Sequence, residues 1–467
     1  MIPFFPKQIS IRALILYVGS LAVVSLLFMS YVMEPGYLAL GVVTVAAFFF
    51  LAYLFSHQWQ TLTSSRYIAY LLIWAFSLRI AAVTALYFYF LLKTGIPFEF
   101  QTADAYAYHL DAEWIASVSH ETAYKYIFRE GVAISDAGYY IYLSELYRLI
   151  GPNIFLARVV KCLLSAWTCV LIYKLASRTF GEETGRLAGI FCCLAPNLIY
   201  YCGLHLKETE MIFLVVAALE AGARAISSEK SIVLNFLLAA ALITILFFFR
   251  TVIALSTALA IGVAFLLWSP KAMSINRRFI LIFLSVAAIA SFSGGLISNE
   301  VQNNWENRVE NQTSKRDQQT AHGNLWAKYA TGAVMAPIMF VVPFPTMVDV
   351  DQQYNQQMLS GGNYVRNFLG IFVLISMFEA LFWKRDWRKT LLLSVFVVAY
   401  LGVLAMSGFA NSERFVLPAL PFLLIFAADG VTNLNANSYR LVKIWYWIVP
   451  LMSIGWAVFK LGSRGLL

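Results

Sequence analysis

Charge is what this chain has least of. Asp, Glu, Lys and Arg make up only 13% of its 467 residues, against 60% hydrophobic and 16% aromatic. With a mean hydropathy of +0.71, that scarcity excludes a soluble globular domain, because too few polar side chains exist to cover a water-facing surface. Cysteine is also scarce. Cys162, Cys169, Cys192, Cys193 and Cys202 all lie within or at the edge of apolar runs, where they act as small fillers rather than as a disulfide framework or a metal cage. Repeats of fixed period and low-complexity linkers are lacking too, which argues for one membrane-embedded machine rather than a string of modules. No small-residue cleavage site follows the first apolar run, so that run is read as a retained anchor. The formal charge of +9 does not mark a nucleic-acid binder, because the placement of the basic residues has a better explanation in membrane orientation.

What is present is apolar length. A spanning helix needs about 20 apolar residues, and such runs recur at 12–33, 36–56, 67–93, 153–173, 186–204, 209–226, 231–249, 251–268, 279–297, 366–383, 389–408, 414–430 and 443–462. The expectation is an all-α polytopic membrane protein of about 13 transmembrane helices, with two large outward-facing loops, 94–152 and 298–365. Basic residues fall on alternate connections: Lys7 and Arg12, Arg66, Lys174 to Arg186, Arg224 and Lys230, Lys271 to Arg278, Lys384 to Lys389, Arg440 and Lys443. Those connections are read as cytoplasmic. Loop 94–152 is rich in Asp and Glu and therefore faces outward. Lys460 and Arg464 fall on the wrong side for this rule. Within the second loop, the run broken by Pro337, Pro343 and Pro345 is expected to lie on or dip into the outer leaflet. A glycosylation-type triplet at Asn311 carries no weight.

The densest chemistry opens the first outward loop, in QTADAYAYHLDA, residues 101–112. In a helix, Asp104, Tyr108 and Asp111 occupy i, i+4 and i+7 and share a face. Further ionisable groups gather at the outer ends of the spans: His205, Lys207, Glu208 and Glu210 after one helix, Arg250 between two apolar runs, Arg414 at the head of FVLPALPFLLIF, and Arg158 and Lys161 near the outer end of their helix. Arg79 stands inside the third span. Ionisable groups at a bilayer are costly and mark functional candidates. Cations and carboxylates converging at one leaflet suit a lipid phosphate headgroup and chemistry performed on it.

In their order these parts resemble the GT-C superfamily of integral-membrane glycosyltransferases. The carrying pieces are Asp104-x-x-x-Tyr108-His109-x-Asp111, then DAGYYIYLSELYRLIGPNIFLARVV, then YKLASRTFGEETGRLAGI, then NSERFVLPALPFLLIF. The last is similar to the Arg-aromatic-x-x-Pro-x-x-Pro helix of the polyprenyl-phosphate-sugar branch, which holds the protein mannosyltransferases and aminoarabinose transferases. The chain departs from the pattern at its N-terminus, so residues 1–66 read as an added transmembrane hairpin and 67–467 as the GT-C-like catalytic domain.

The resemblance implies inverting transfer of a sugar from an isoprenoid phosphate to a lipid, glycan or protein acceptor at the outer face of the membrane. The setting it implies is a bacterial inner membrane, with the site toward the periplasm and a role in cell-envelope polysaccharide biosynthesis. Asp104 becomes the general base, with Asp111 beside it orienting the acceptor. Lys207, Arg250 and Arg414, with His205, are the phosphate clamp. Tyr108, His109, Glu208 and Glu210 complete the substrate-binding set. No cofactor is required on this reading; were Asp104, Glu208 and Glu210 to converge, they would offer oxygen ligands for Mg2+ or Mn2+.

Two other readings compete. An O-antigen-type polymerase or ligase would place its arginines and histidine in later loops rather than an aspartate in the first. A lipid-linked sugar flippase or transporter would place charge near the midplane and show internal repeats; Arg79 is the main midplane charge here.

Overall fold

The computed structural model describes residues 4–100, 103–129, 134–227, 231–268, 336–350, 353–380, 387–407 and 412–466. Among the described residues the regular elements are all helical: α1 (Lys7–Leu27), α2 (Pro35–Gln58), α3 (Ser64–Thr94), α4 (Ala103–Ser117), α5 (His120–Ile127), α6 (Ala137–Ile150), α7 (Ile154–Phe180), α8 (Glu182–Leu194), α9 (Pro196–Cys202), α10 (Glu208–Ser227), α11 (Ile232–Phe249), α12 (Thr251–Trp268), α13 (Tyr354–Met358), α14 (Ser360–Phe378), α15 (Trp387–Met406), α16 (Glu413–Val416), α17 (Leu420–Thr432) and α18 (Ala436–Gly462). Eight helical stretches among them are long and apolar enough to cross a membrane: α1, α2, α3, α7, α11, α15, Glu413–Thr432 and α18. The expected span 279–297, most of loop 298–365 and the Asn311 triplet lie outside the described residues.

Helix ends follow local chemistry. Gly95 closes α3 at φ 78°, a left-handed conformation that glycine adopts without strain. Asn153 caps α7 by accepting from the Leu156 amide at 3.0 Å, and Asn435 does the same for α18.

The expected span 186–204 is not one helix. Pro196 lacks an N–H, and Ala195 before it is pushed to ψ 113°, so the chain breaks into α8 and α9. The carbonyls orphaned at the break find their donors in Arg79. Its Nη2 donates to the Cys192 carbonyl at 3.2 Å, its Nη1 to the Cys193 carbonyl at 3.1 Å, and its Nε to Ser165 at 2.6 Å. The midplane charge on which a transport reading leans is thus used in satisfying backbone inside the bundle. Two other spans also differ from expectation. Helix α10 carries Glu208, Glu210, Glu220 and Arg224, too many charges for the apolar set, and α14 begins at Ser360, ahead of its expected start at 366.

The helices form one bundle. Helix α1 packs on α2 and α18, α2 on α8 and α14, α7 on α3, α8 and α10, and α10 on α11 and α12. Glycine permits the tightest crossing of α2 with α14: a Cβ on Gly361 would lie 2.7 Å from the Gly41 carbonyl oxygen. The first loop carries α4, α5 and α6, with α4 laid on α6 and α6 on α11. Where it is described, the proline-broken run is covered by protein. After one turn at Ala336–Ile338, the stretch from Val341 to Val348 is buried in protein, and Asn367 donates to the Val341 and Pro343 carbonyls at 2.5 and 2.9 Å. Irregular backbone is tolerated there because protein satisfies it. The anomalous Lys460 is explained here as well. It is buried, and its ammonium donates to Thr346 at 2.6 Å and Gln353 at 2.7 Å, so it pins the end of α18 to the chain at those two residues.

Candidate active site at one end of the bundle

Five segments distant in sequence meet at one end of the bundle: the first turn of α4, the 3-10 turn Ile134–Asp136, the approach to α10, the α11–α12 junction and α16. Helix α4 brings Asp104, whose side chain is 56% exposed, and Arg414 of α16 reaches it through Nη1. Through Nε the same guanidinium holds Glu208, which is buried and whose Oε2 has no hydrogen-bond partner among the described residues. The fork of Arg414 thus joins a solvent-facing carboxylate to a desolvated one.

Beside this pair stands a second. Lys207 makes an ion pair with Asp136 and donates to the Ser135 carbonyl at 2.8 Å and the Phe249 carbonyl at 2.7 Å. Tyr108 donates to the same Asp136 carboxylate at 3.1 Å. Burial pulls the Lys207 ammonium down to about 8 in spite of Asp136. Burial works against the Asp136 charge as well, yet Lys207, Arg250 and the Tyr108 hydroxyl outweigh it and hold the carboxyl below its usual range. Burial, then Asp136, pushes the Tyr108 phenol well up, so it stays a donor. Arg250 lies over the Phe415 ring at 4.5 Å. It makes no ion pair with a carboxylate among the described residues, which leaves its guanidinium for an incoming anion.

Of the residues expected from the sequence, Asp104, Tyr108, Lys207, Glu208, Arg250 and Arg414 come together. Asp111 does not join Arg414. It accepts from Tyr126 of α5 at 3.3 Å, because seven residues of helix put it about 10.5 Å along the axis from Asp104. His109 and His205 form their own chain through Tyr147, with the hydroxyl 2.8 Å from His109 Nδ1 and 3.1 Å from His205 Nε2. Burial holds His205 far below its usual value and lowers His109, which works against a cationic role for either ring. Glu210 turns to Lys161 at 3.8 Å rather than toward Asp104, and among the described residues no three His, Cys, Asp or Glu side chains gather as metal ligands. The sequence reading missed Asp136. Its signal was present, since it opens DAGYYIY in the same acidic loop.

Apolar grooves run away from the cluster. One of about 410 Å³ lies between α6, α10 and α11, lined by Tyr142, Glu210, Ile245, Phe248 and Phe249. Leu164 and Phe213 carry its wall on into a second, of about 520 Å³, beside α3 and α7.

A water-facing carboxylate held by a guanidinium, flanked by cations and adjoining apolar grooves, is an arrangement that suits a membrane enzyme acting on a lipid with an anionic head. Residues 139–297 match the family model described as dolichyl-phosphate-mannose-protein mannosyltransferase, a family of the GT-C superfamily. Over that segment the GT-C resemblance is borne out. The match takes in Lys207, Glu208 and Arg250, leaves Asp104 and Arg414 outside it, and supports a polyprenyl-phosphate-sugar-dependent membrane glycosyltransferase in general terms. No curated protein matches the chain.

Proposed function

We propose that the chain transfers a sugar from a polyprenyl-phosphate donor to an acceptor at the outer face of the membrane, with inversion at the anomeric carbon. The observation that carries this is the meeting of Asp104 with Arg414, 310 residues apart, beside Lys207 and Arg250 at the same end of the bundle.

In this reading Asp104 accepts the proton of the attacking acceptor group, since it is the exposed carboxylate of the cluster, and Arg414 fixes its direction. The acceptor oxygen or nitrogen forms a bond to the anomeric carbon while the bond from that carbon to the phosphate oxygen breaks, and the electron pair leaves with the polyprenyl phosphate. That leaving group is already anionic, so it needs positive charge rather than a proton. Arg250 supplies a guanidinium that no carboxylate among the described residues occupies, and Lys207 an ammonium held in place by Asp136. The donor's isoprenoid chain lies in the groove beside Phe248 and Phe249, whose inner end adjoins Lys207 through the Phe249 carbonyl. The transfer requires no cofactor. The setting that fits is a bacterial inner membrane, with the cluster toward the periplasm.

The test is the stereochemistry and its dependence on Asp104. Purified protein given an α- or β-linked polyprenyl-phosphate hexose should yield product of the opposite configuration. Asp104→Asn should remain folded and lose on the order of 10²–10⁴ in kcat. Retained configuration, or an Asp104→Asn variant within a few-fold of wild type, would refute it.

A further inference from the structure

A third groove, of about 690 Å³, opens between α2 and α3. Leu40, Val43 and Leu51 of α2 form one wall and Leu78, Ala82 and Ala85 of α3 the other, with Pro196 and Tyr200 of α9 behind. It shares no lining residue with the grooves beside α6, α10 and α11. Its outer mouth carries Glu34, Lys93 and the hydroxyls of Tyr37 and Tyr89, 3.2 Å apart.

The depth of this groove fits one lipid leaflet. From Glu34 to Leu51 along α2 is about 25 Å, and from Lys93 to Leu78 along α3 about 22 Å, at about 1.5 Å per residue. Half of a bilayer measured with its headgroups is roughly 20–22 Å. A cleft at that level, lined by aliphatic side chains and open between two lipid-facing helices, is filled by hydrocarbon, because the bilayer core holds no water to fill it. Its lining fits a chain of a lipid whose headgroup would sit at Lys93 and Glu34.

The mouth of the groove is tied to the catalytic cluster by two routes. Gly362 lines it, and a Cβ there would strike the Asn197 side chain. Asn197 donates to Asn363 at 2.9 Å, and Asn363 to Glu413 at 2.8 Å, the residue before Arg414. Tyr200 donates to Asn355 at 3.1 Å, which donates to the Phe100 carbonyl at 2.8 Å, four residues before Asp104. The hairpin that reads as an addition to the GT-C pattern supplies the α2 wall.

We propose that the α2–α3 groove holds the hydrocarbon chain of a lipid-anchored acceptor, so that the added hairpin selects a membrane lipid, rather than a soluble molecule, as the recipient of the sugar. This rests on the transferase reading above, with the donor in the grooves beside α7, α10 and α11.

The experiment places Ala82→Trp and, from the opposite wall, Val43→Trp in lipid nanodiscs containing a phosphatidylglycerol with a photoreactive acyl chain. Both positions face the groove from partly exposed helix surface, so the fold tolerates the indole. Wild type should crosslink within 34–51 and 78–93. Each variant should lose roughly ten-fold of that signal, because an indole occupies about 150–250 Å² of contact. Transfer to endogenous lipid acceptors should fall in parallel, with polyprenyl-phosphate affinity unchanged. Undiminished crosslinking overturns the proposal. Loss of polyprenyl-phosphate binding along with the crosslinks makes this the donor's groove and overturns it, and lost crosslinks with full transfer reduce the occupant to a structural lipid. A wild-type protein that crosslinks here but turns over no polyprenyl-phosphate sugar defeats the transferase reading, and the acceptor role with it.

Discussion

Replacing Arg414 by alanine should damage stability and catalysis through two different carboxylates. Glu208 is 1% exposed and its Oε2 has no hydrogen-bond partner among the described residues. Removing the guanidinium leaves a buried carboxylate uncompensated, an effect that costs about 3–5 kcal/mol. Asp104, with 56% side-chain exposure, loses an anchor but stays hydrated, so little of the stability loss comes from it. Arg414→Lys keeps the charge and cannot span both carboxylates, because one ammonium has no fork geometry. It should fall between wild type and alanine. Thermal unfolding in detergent reads the effect as a lowered midpoint. The double variant Arg414→Ala, Glu208→Gln separates the two roles: neutralising Glu208 should recover most of the midpoint, while transfer remains lost because nothing directs Asp104. An Arg414→Ala midpoint equal to wild type, or a double variant no more stable than Arg414→Ala, would refute this assignment of partners.

Three further outcomes are expected. Arg250→Ala should weaken polyprenyl-phosphate binding by roughly 30-fold or more, with Arg250→Lys intermediate, since a truncated charged partner commonly costs about 2–5 kcal/mol and lysine keeps charge without bidentate geometry; equilibrium binding with a fluorescent polyprenyl phosphate checks it. Lys207 is charged below about 8 and loses its proton as pH rises through that value, so kcat/KM should show an alkaline limb near pH 8. Donor phosphate favours the charged form and should move the limb in kcat higher, and Lys207→Arg should abolish it. Arg79→Met should destabilise the bundle by leaving the Cys192 and Cys193 carbonyls without their donor, about 1–3 kcal/mol for each unsatisfied group, while donor affinity in the folded fraction is unchanged; a loss of affinity would give Arg79 a functional role instead.

Much of the site was legible because its residues are expensive where they stand. A carboxylate or cation at a bilayer surface has few reasons to be there, and Asp104, Lys207, Glu208, Arg250 and Arg414 stand out from an apolar background on that ground alone. Pairings were not. Helical spacing puts Asp104 and Asp111 on one face but does not tell that Tyr126 of α5 waits for the second. Asp136 looks like one acid among many in its loop until the fold brings Lys207 to it. The interior role of Arg79 depends on Pro196, more than a hundred residues away, and on the carbonyls that the proline orphans. Lys460 falls outside the charge rule because it is buried against Thr346 and Gln353, and a rule about exposed connections does not apply to a buried ammonium.

The central claim is tested most directly by reconstituting the protein in liposomes with a labelled polyprenyl-phosphate sugar and following both the label's chemistry and its leaflet. The account predicts release of polyprenyl phosphate with the sugar joined to an acceptor at the outer face, abolished in Asp104→Asn. Movement of intact lipid-linked sugar between leaflets, undiminished by Asp104→Asn and without release of polyprenyl phosphate, would contradict it.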